Sequence, residues 1–428
     1  MSARLVRLYV LVAISALCVL PYVLGIQPRE LNSADVLNSG EGDAARQVVL
    51  LALYGSAALL LLRPSQRLLF IGWPLLLLLL LCSASVIWSV NPDGSLRRLV
   101  ALSGTVMLGV CIGIRLDLTT MARTVVQAAA LVFVASIIVS IVDPGAAFDP
   151  EGRFRGMFAH KNMLSSFAVI AMFTIFFCLL RSSKALSRLW LGMLFVLCLV
   201  CLLISGSAGP FPALFCSIVI LGLCYGIRAN AERFIAIFPV TIAIGMVVVP
   251  MFFMTEGFGV LGRGDDFSGR LQVWQFALSK MAERPLLGYG YGVFWLGTDA
   301  PAVAFWRATH NFAPHAHNGF LQLALDAGIV GVGLYAASLL VFSVRAYRLI
   351  RARHEISYLF WAIGIFSFFA ITNLGEAEAW VGNGLQTLLF VYLVVRINVE
   401  HAKLLAESRS VRGPSPIFAD RSVPMRPA

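Results

Sequence analysis

The chain has 428 residues, 59% of them hydrophobic and 13% charged, with a mean hydropathy of +0.85. This balance excludes an ordinary soluble globular domain and makes lipid the solvent for most of the chain. The formal net charge of +11 is scattered over interhelical loops and a basic tail, a distribution that favours attraction to anionic lipid headgroups over nucleic-acid binding.

In chain order, the first segment has a basic start (Arg4, Arg7) and an apolar stretch to Ile26 with no small-x-small cleavage site after it, and is expected to be a retained span. Residues 68–88 carry no charge over roughly the 20 residues that a helix needs to cross a hydrocarbon core. The same criterion gives about twelve spans, near residues 6–26, 47–62, 68–90, 99–114, 124–143, 163–180, 189–204, 210–227, 234–254, 318–344, 356–373 and 380–396. The expected fold is therefore an all-α integral membrane protein, with a polytopic region 1–397 and a basic cytoplasmic tail 398–428. All eight cysteines lie inside apolar runs, which argues against a disulfide framework or a thiolate metal site.

Placing both termini in the cytoplasm puts Arg63 and Arg67, Arg115 and Arg123, Arg181, Lys184 and Arg188, Arg228 and Arg233, and the Arg345 to Arg353 group in cytoplasmic connections. This agrees with the positive-inside rule. On the opposite face, basic residues persist at three places: Arg97 and Arg98; Arg153, Arg155 and Lys161; and the long segment 255–317. Positive charge kept on the outer face points to an anionic ligand there, the bland alternative being snorkelling to lipid phosphate.

Within the long outer segment, Ser268 to Glu283 is expected to form a surface helix stopped by Pro285, with Arg270 and Trp274 four residues apart and so on one face. Gly288, Gly290 and Gly292 alternate with Tyr289 and Tyr291 and are expected to form a tight, mobile connection; the context of a phosphate-binding P-loop is lacking. Three of the six histidines, His310, His315 and His317, fall within residues 310–317. No carboxylate stands at helical spacing from His317, so a capping or packing histidine is favoured over a metal ligand. From His317 a helix is expected, with Gly328 returning to the same azimuth at about 100° per residue and letting a neighbouring helix approach beneath the histidine. Asp326 then falls on the opposite face, where it meets another helix or water.

His317, Asn318 and Gly328 match the histidine, asparagine, nine residues, glycine pattern of the O-antigen ligase and polymerase superfamily, which this chain resembles. Residues 269–294 resemble that family's Gly-Arg-x-x-x-Trp segment and residues 152–162 its earlier outer-loop motif, so the resemblance runs from about residue 90 to 385. It implies a membrane glycosyltransferase of the C type, with its site in an outer-leaflet cavity and an undecaprenyl-diphosphate-linked glycan as donor. Carried over by position, His317, Arg270 and one or both of Arg153 and Arg155 become catalytic. Arg97, Arg98, Lys161, Asn318 and Trp274 become substrate-binding. The turn 205–210 lacks the basic residue of many relatives, and His160-Lys161-Asn162 looks closer to exopolysaccharide-type polymerases.

These residue types suit the chemistry. A departing diphosphate is stabilised by guanidinium forks with no metal or cofactor, and a neutral imidazole suits removal of the acceptor hydroxyl proton. His317 is the expected base, with Glu376 and Glu378 in reserve and Asp265 and Asp266 behind them. The acceptor is a glycan repeat, slightly favoured, or lipid A core sugar. The rival class is a transporter or flippase of lipid-linked sugars, against which the nearly charge-free spans and the absence of a visible repeat argue.

Overall fold

The structure, a computed structural model, describes residues 3–23, 44–61, 70–207, 209–226, 265–352 and 357–411. Thirteen helices are labelled in chain order: α1 Ala3–Val23, α2 Ala44–Leu61, α3 Trp73–Ala84, α4 Pro92–Arg115, α5 Leu118–Val142, α6 Lys161–Arg181, α7 Ala185–Ile204, α8 Pro210–Gly226, α9 Asp265–Glu283, α10 Val303–Thr309, α11 Gly319–Ala352, α12 Ser357–Thr372 and α13 Leu385–Val411. Every expected span is occupied by a helix except 234–254, which lies outside the described residues. Of these helices, α4, α5, α6, α7 and α11 are long and apolar enough to cross a membrane, and shorter apolar helices cover 45–59, 73–88, 210–222 and 358–372. The described residues are those of an all-α membrane protein. Helix α13 continues past residue 397 to Val411.

Helix starts follow from local side chains that accept the otherwise orphaned first-turn amides. Asn91 accepts from Gly94 N at 2.9 Å ahead of Pro92, opening α4; Asp117 accepts from Thr120 N at 2.8 Å, opening α5. His160 accepts from Asn162 N at 3.2 Å and opens α6, while Asn318 accepts from Phe320 N and Leu321 N at 3.0 Å each and opens α11.

The core is apolar side chain against small residue. Helix α4 lies against α13, where a Cβ on Gly109 or Gly113 would press into Val391 and Val395 at 2.9 and 2.8 Å; such close approach drives helix association in lipid. Helix α6 is buried along most of its length, whereas α7 shows Leu186, Leu189, Trp190, Met193 and Val196 outward, the surface a lipid-facing helix presents. A separate small core, built from Val273, Ala277, Tyr289, Phe294, Trp306 and Leu325, joins α9 and α10 to the start of α11.

One element departs from the sequence expectation. Helix α11 is broken at Gly328, whose φ of 66° and ψ of −171° are not helical. What occupies the break is the connection after α9, not a neighbouring helix, and the regular azimuth from His317 to Gly328 is lost. Tyr289 N and Gly290 N donate to Leu325 O and Asp326 O at 2.7 and 3.2 Å, and Pro285 O and Leu286 O accept from Ile329 N and Val330 N at 2.8 and 3.5 Å. The inserted loop thus satisfies the carbonyls that end the upper half-helix and the amides that begin the lower one, as buried backbone in lipid requires. Gly288 and Gly328 permit this approach: a Cβ on Gly288 would meet Leu325 O at 2.5 Å, and one on Gly328 would overlap the Leu286 carbonyl. The glycine cluster is accordingly an anchored wedge.

Candidate functional site

Five connections meet at one end of the bundle: the loop before α6, the α7–α8 turn, the start of α9, the loop before α11 and the α12–α13 loop. Their polar side chains converge on Glu376, which is buried at 7% exposure. Arg270, on the first turns of α9, donates Nη1 to Gly375 O at 2.9 Å and Nη2 to Glu376 Oε1 at 3.2 Å. Asn162 Nδ2 donates to the same Oε1 at 2.9 Å, and its own Oδ1 accepts from Ser207 Oγ at 2.9 Å. His317 brings Nδ1 to 4.0 Å from Glu376 Oε2, beyond hydrogen-bond length, and that nitrogen is buried with no hydrogen-bond partner among the described residues.

The electrostatics follow from this arrangement. Burial pushes the Glu376 carboxyl up, but the adjacent His317 imidazole and the Arg270 guanidinium more than offset it and hold the group at about 2. Burial and the Glu376 charge raise Glu378 to about 7. Burial and then His317 push His315 down to about 3, so His315 stays neutral; its Nδ1 accepts from His317 N at 3.2 Å. Burial likewise lowers His160, partly countered by Glu376.

The loop that carries His317 is clamped at both sides of Ala316. Trp274 Nε1 donates to Ala316 O at 2.9 Å, and Gln322 Oε1 accepts from Ala316 N at 3.1 Å. Asn318 Nδ2 donates to Leu374 O at 3.1 Å and Gly319 N to Asn373 O at 2.7 Å, tying the start of α11 to the loop that holds Glu376. His317 itself has φ 49°, a left-handed conformation that a non-glycine residue adopts only when its surroundings impose it.

Of the residues singled out in the sequence, Arg270, Trp274, His317 and Asn318 come together here, with the reserve carboxylate Glu376 at the hub. Arg153 and Lys161 stand beside this group in a network of their own: Arg153 pairs with Glu151 at 3.1 Å, and Lys161 with Asp149 at 3.6 Å and Glu151 at 3.5 Å. Arg155 is buried, donating Nε to Ala146 O at 3.0 Å and N to Ala147 O at 2.9 Å, and so fastens the loop before α6. Arg97 and Arg98 lie exposed on the first turns of α4, with the Arg98 stem against Gly292. His310 is exposed and left-handed at the end of α10, apart from the other two histidines of its cluster. Asp265 and Asp266 open α9, and their side chains lie outside the described set. Among the described residues no group of three or more His, Cys, Asp or Glu side chains is disposed to hold a metal ion.

Sequence reasoning missed Asn162 and Ser207. Asn162 sits in the basic motif at 160–162, beside the lysine that drew attention, and Ser207 lies in a turn noted only for the cation it lacks.

Residues 193–336 match the O-antigen ligase family. The chain is 25% identical over 264 residues to the exopolysaccharide production protein ExoQ of Rhizobium meliloti (strain 1021), covering 58% of this chain and 59% of that protein. It is 21% identical over 225 residues to the ComP-specific O-oligosaccharyltransferase of Acinetobacter baylyi (strain ATCC 33305 / BD413 / ADP1), covering 50% of this chain and 40% of that protein. The chain therefore spans less than two thirds of the length of the curated relatives it matches. The stretch that is similar to the O-antigen ligase family contains Arg270, Trp274, His317 and the break at Gly328.

Proposed function

We propose that the protein is an inner-membrane glycosyltransferase that moves a glycan from an undecaprenyl-diphosphate carrier onto an acceptor hydroxyl at the periplasmic face. Joining of exopolysaccharide or O-antigen repeats is favoured over ligation to lipid A core, in keeping with the exopolysaccharide production named for the Rhizobium relative. The observation that carries this reading is the convergence of Arg270 and His317 on one buried carboxylate, Glu376.

In the proposed reaction the acceptor oxygen attacks the anomeric carbon while the bond from that carbon to the diphosphate oxygen breaks. The hydroxyl proton passes to His317 Nε2, and the Glu376 carboxylate, facing Nδ1, stabilises the imidazolium that forms. Charge developing on the leaving diphosphate is met by Arg270, which exchanges part of its contact with Glu376 for the phosphate oxygens. Arg153, Lys161, Arg97 and Arg98 supply positive charge around this end of the bundle for the diphosphate and glycan, and Arg155 supports the loop that bears Arg153. Trp274 and Asn318 hold the loop and helix start on either side of His317. No step calls on a metal or cofactor.

The test uses purified full-length protein, a synthetic undecaprenyl-diphosphate glycan and separate glycan and lipid A core acceptors, with and without chelator. Transfer should persist in chelator and vanish in His317→Ala and Arg270→Ala. Full activity of His317→Ala removes the base assignment, loss of transfer in chelator overturns the metal-free scheme, and product from one acceptor alone decides between polymerase and ligase.

A further inference from the structure

A second buried carboxylate lies away from Glu376, at the break in α11. Asp326 is 5% exposed and accepts from Gln322 Nε2 at 3.1 Å. The same carboxylate faces the Gly292 N–H and the positive charge of Arg98. Every polar neighbour so described is a donor, and the carboxylate oxygens are the acceptors that meet them. A carboxylate inside a span is expensive and calls for such a purpose.

Gln322 is the link. Its Oε1 accepts from Ala316 N at 3.1 Å, one residue before His317, and because a backbone N–H can only donate, the amide oxygen must face Ala316 and the amide nitrogen Asp326. We propose that Asp326 is a positioning residue for His317: its carboxylate fixes the polarity of the Gln322 amide, and the amide in turn holds the Ala316 peptide that carries the histidine. The kinetic part of this proposal rests on the transferase reading; the hydrogen-bond polarity does not.

The polarity can be inverted and restored. In Asp326→Asn one side of the new amide is an N–H group, so either Gln322 or the Gly292 and Arg98 side meets a donor with a donor. In the double variant Asp326→Asn, Gln322→Glu, the amide nitrogen introduced at position 326 donates to the carboxylate introduced at position 322, and the amide oxygen remains for Gly292 and Arg98. The second oxygen of that carboxylate accepts from Ala316 N, and the charge is conserved. Displacement of a catalytic group by about 1 Å costs on the order of 100-fold in rate. Asp326→Asn should therefore lower kcat by about 10- to 100-fold with donor KM nearly unchanged, and the double variant should recover to within a few fold of wild type. Hydrogen exchange of the peptide containing Ala316 should speed up in the single variant and slow again in the double.

Gln322→Met, which leaves Asp326 with Gly292 and Arg98, gives the same exchange readout where Asp326→Asn does not fold. Wild-type kcat and exchange in Asp326→Asn, a double variant no better than the single, or unchanged exchange in Gln322→Met each overturns the proposal. Restored exchange in a protein whose wild type transfers no glycan overturns the transferase reading alone.

Discussion

Replacing Glu376 with Gln keeps an oxygen for the Asn162 amide and removes the charge facing Arg270 and His317. In the folded protein the carboxyl titrates at about 2, against an ordinary 4.5. A depressed folded value means that its contribution to stability is fully present above 4.5 and drains away as the pH falls towards 2. At about 1.4 kcal/mol per pH unit this interval corresponds to about 3 kcal/mol at neutral pH, and to less than half of that near pH 3. Thermal unfolding of the wild type and Glu376→Gln in detergent should thus show a Tm gap that is wide at pH 7 and much narrower at about pH 3. An equal gap at both values, or a variant as stable as wild type at pH 7, refutes the reasoning that the charge of Glu376 holds these connections together.

Gly328→Ala forces a side chain into a backbone region open essentially to glycine and against the Leu286 carbonyl, and should cost about 3 kcal/mol or more. Gly333→Ala, at a helical position in α11 with nothing near its Cβ, should be neutral or stabilising by about 0.5–1 kcal/mol, and paired Tm measurements check the contrast. Trp274→Phe deletes the bond to Ala316 O, and should cost about 1 kcal/mol of stability while lowering the transfer rate by a larger factor, read from unfolding and initial rates together. Arg155→Gln strands Ala146 O in a buried loop and should destabilise by about 2 kcal/mol, whereas Arg153→Gln at the partly exposed pair with Glu151 should leave Tm nearly unchanged and raise donor KM.

The helices were legible because apolar length is written in local sequence, and basic residues clustered between the apolar runs drew attention to the segments that meet at one end of the bundle. Arg270 and Trp274 were legible from their four-residue spacing and the Gly-Arg-x-x-x-Trp resemblance, and His317 from the histidine cluster ahead of a helix start. Glu376 was seen only as a reserve base. Its place at the hub depends on the α12–α13 loop packing against α9 and the loops before α6 and α11, and no spacing along the chain encodes such an encounter. Asn162 and Ser207 were missed because a neutral amide and a hydroxyl carry no charge anomaly; their partnership is purely tertiary. The break in α11 was misread because a glycine in an apolar run, here with Gly331 and Gly333 following it, fits a helix as well as a kink. What distinguishes the two is the second glycine cluster, at 288–292, whose backbone needed a place to donate and found it at residues 325 and 326.

The same break separates two mechanical duties. Residues 319–327 are fastened to the wedge and to Asn373, while residues 329–352 form the piece long enough to follow the bilayer. A membrane that thickens or thins makes a continuous span tilt, and the tilt is carried to whatever the helix bears at its end. Here the torsion angles of Gly328 and the wedge that grips residues 325, 326, 329 and 330 stand between the rod and the histidine, so a tilt of the rod reaches His317 only through a joint whose two sides are held by one loop.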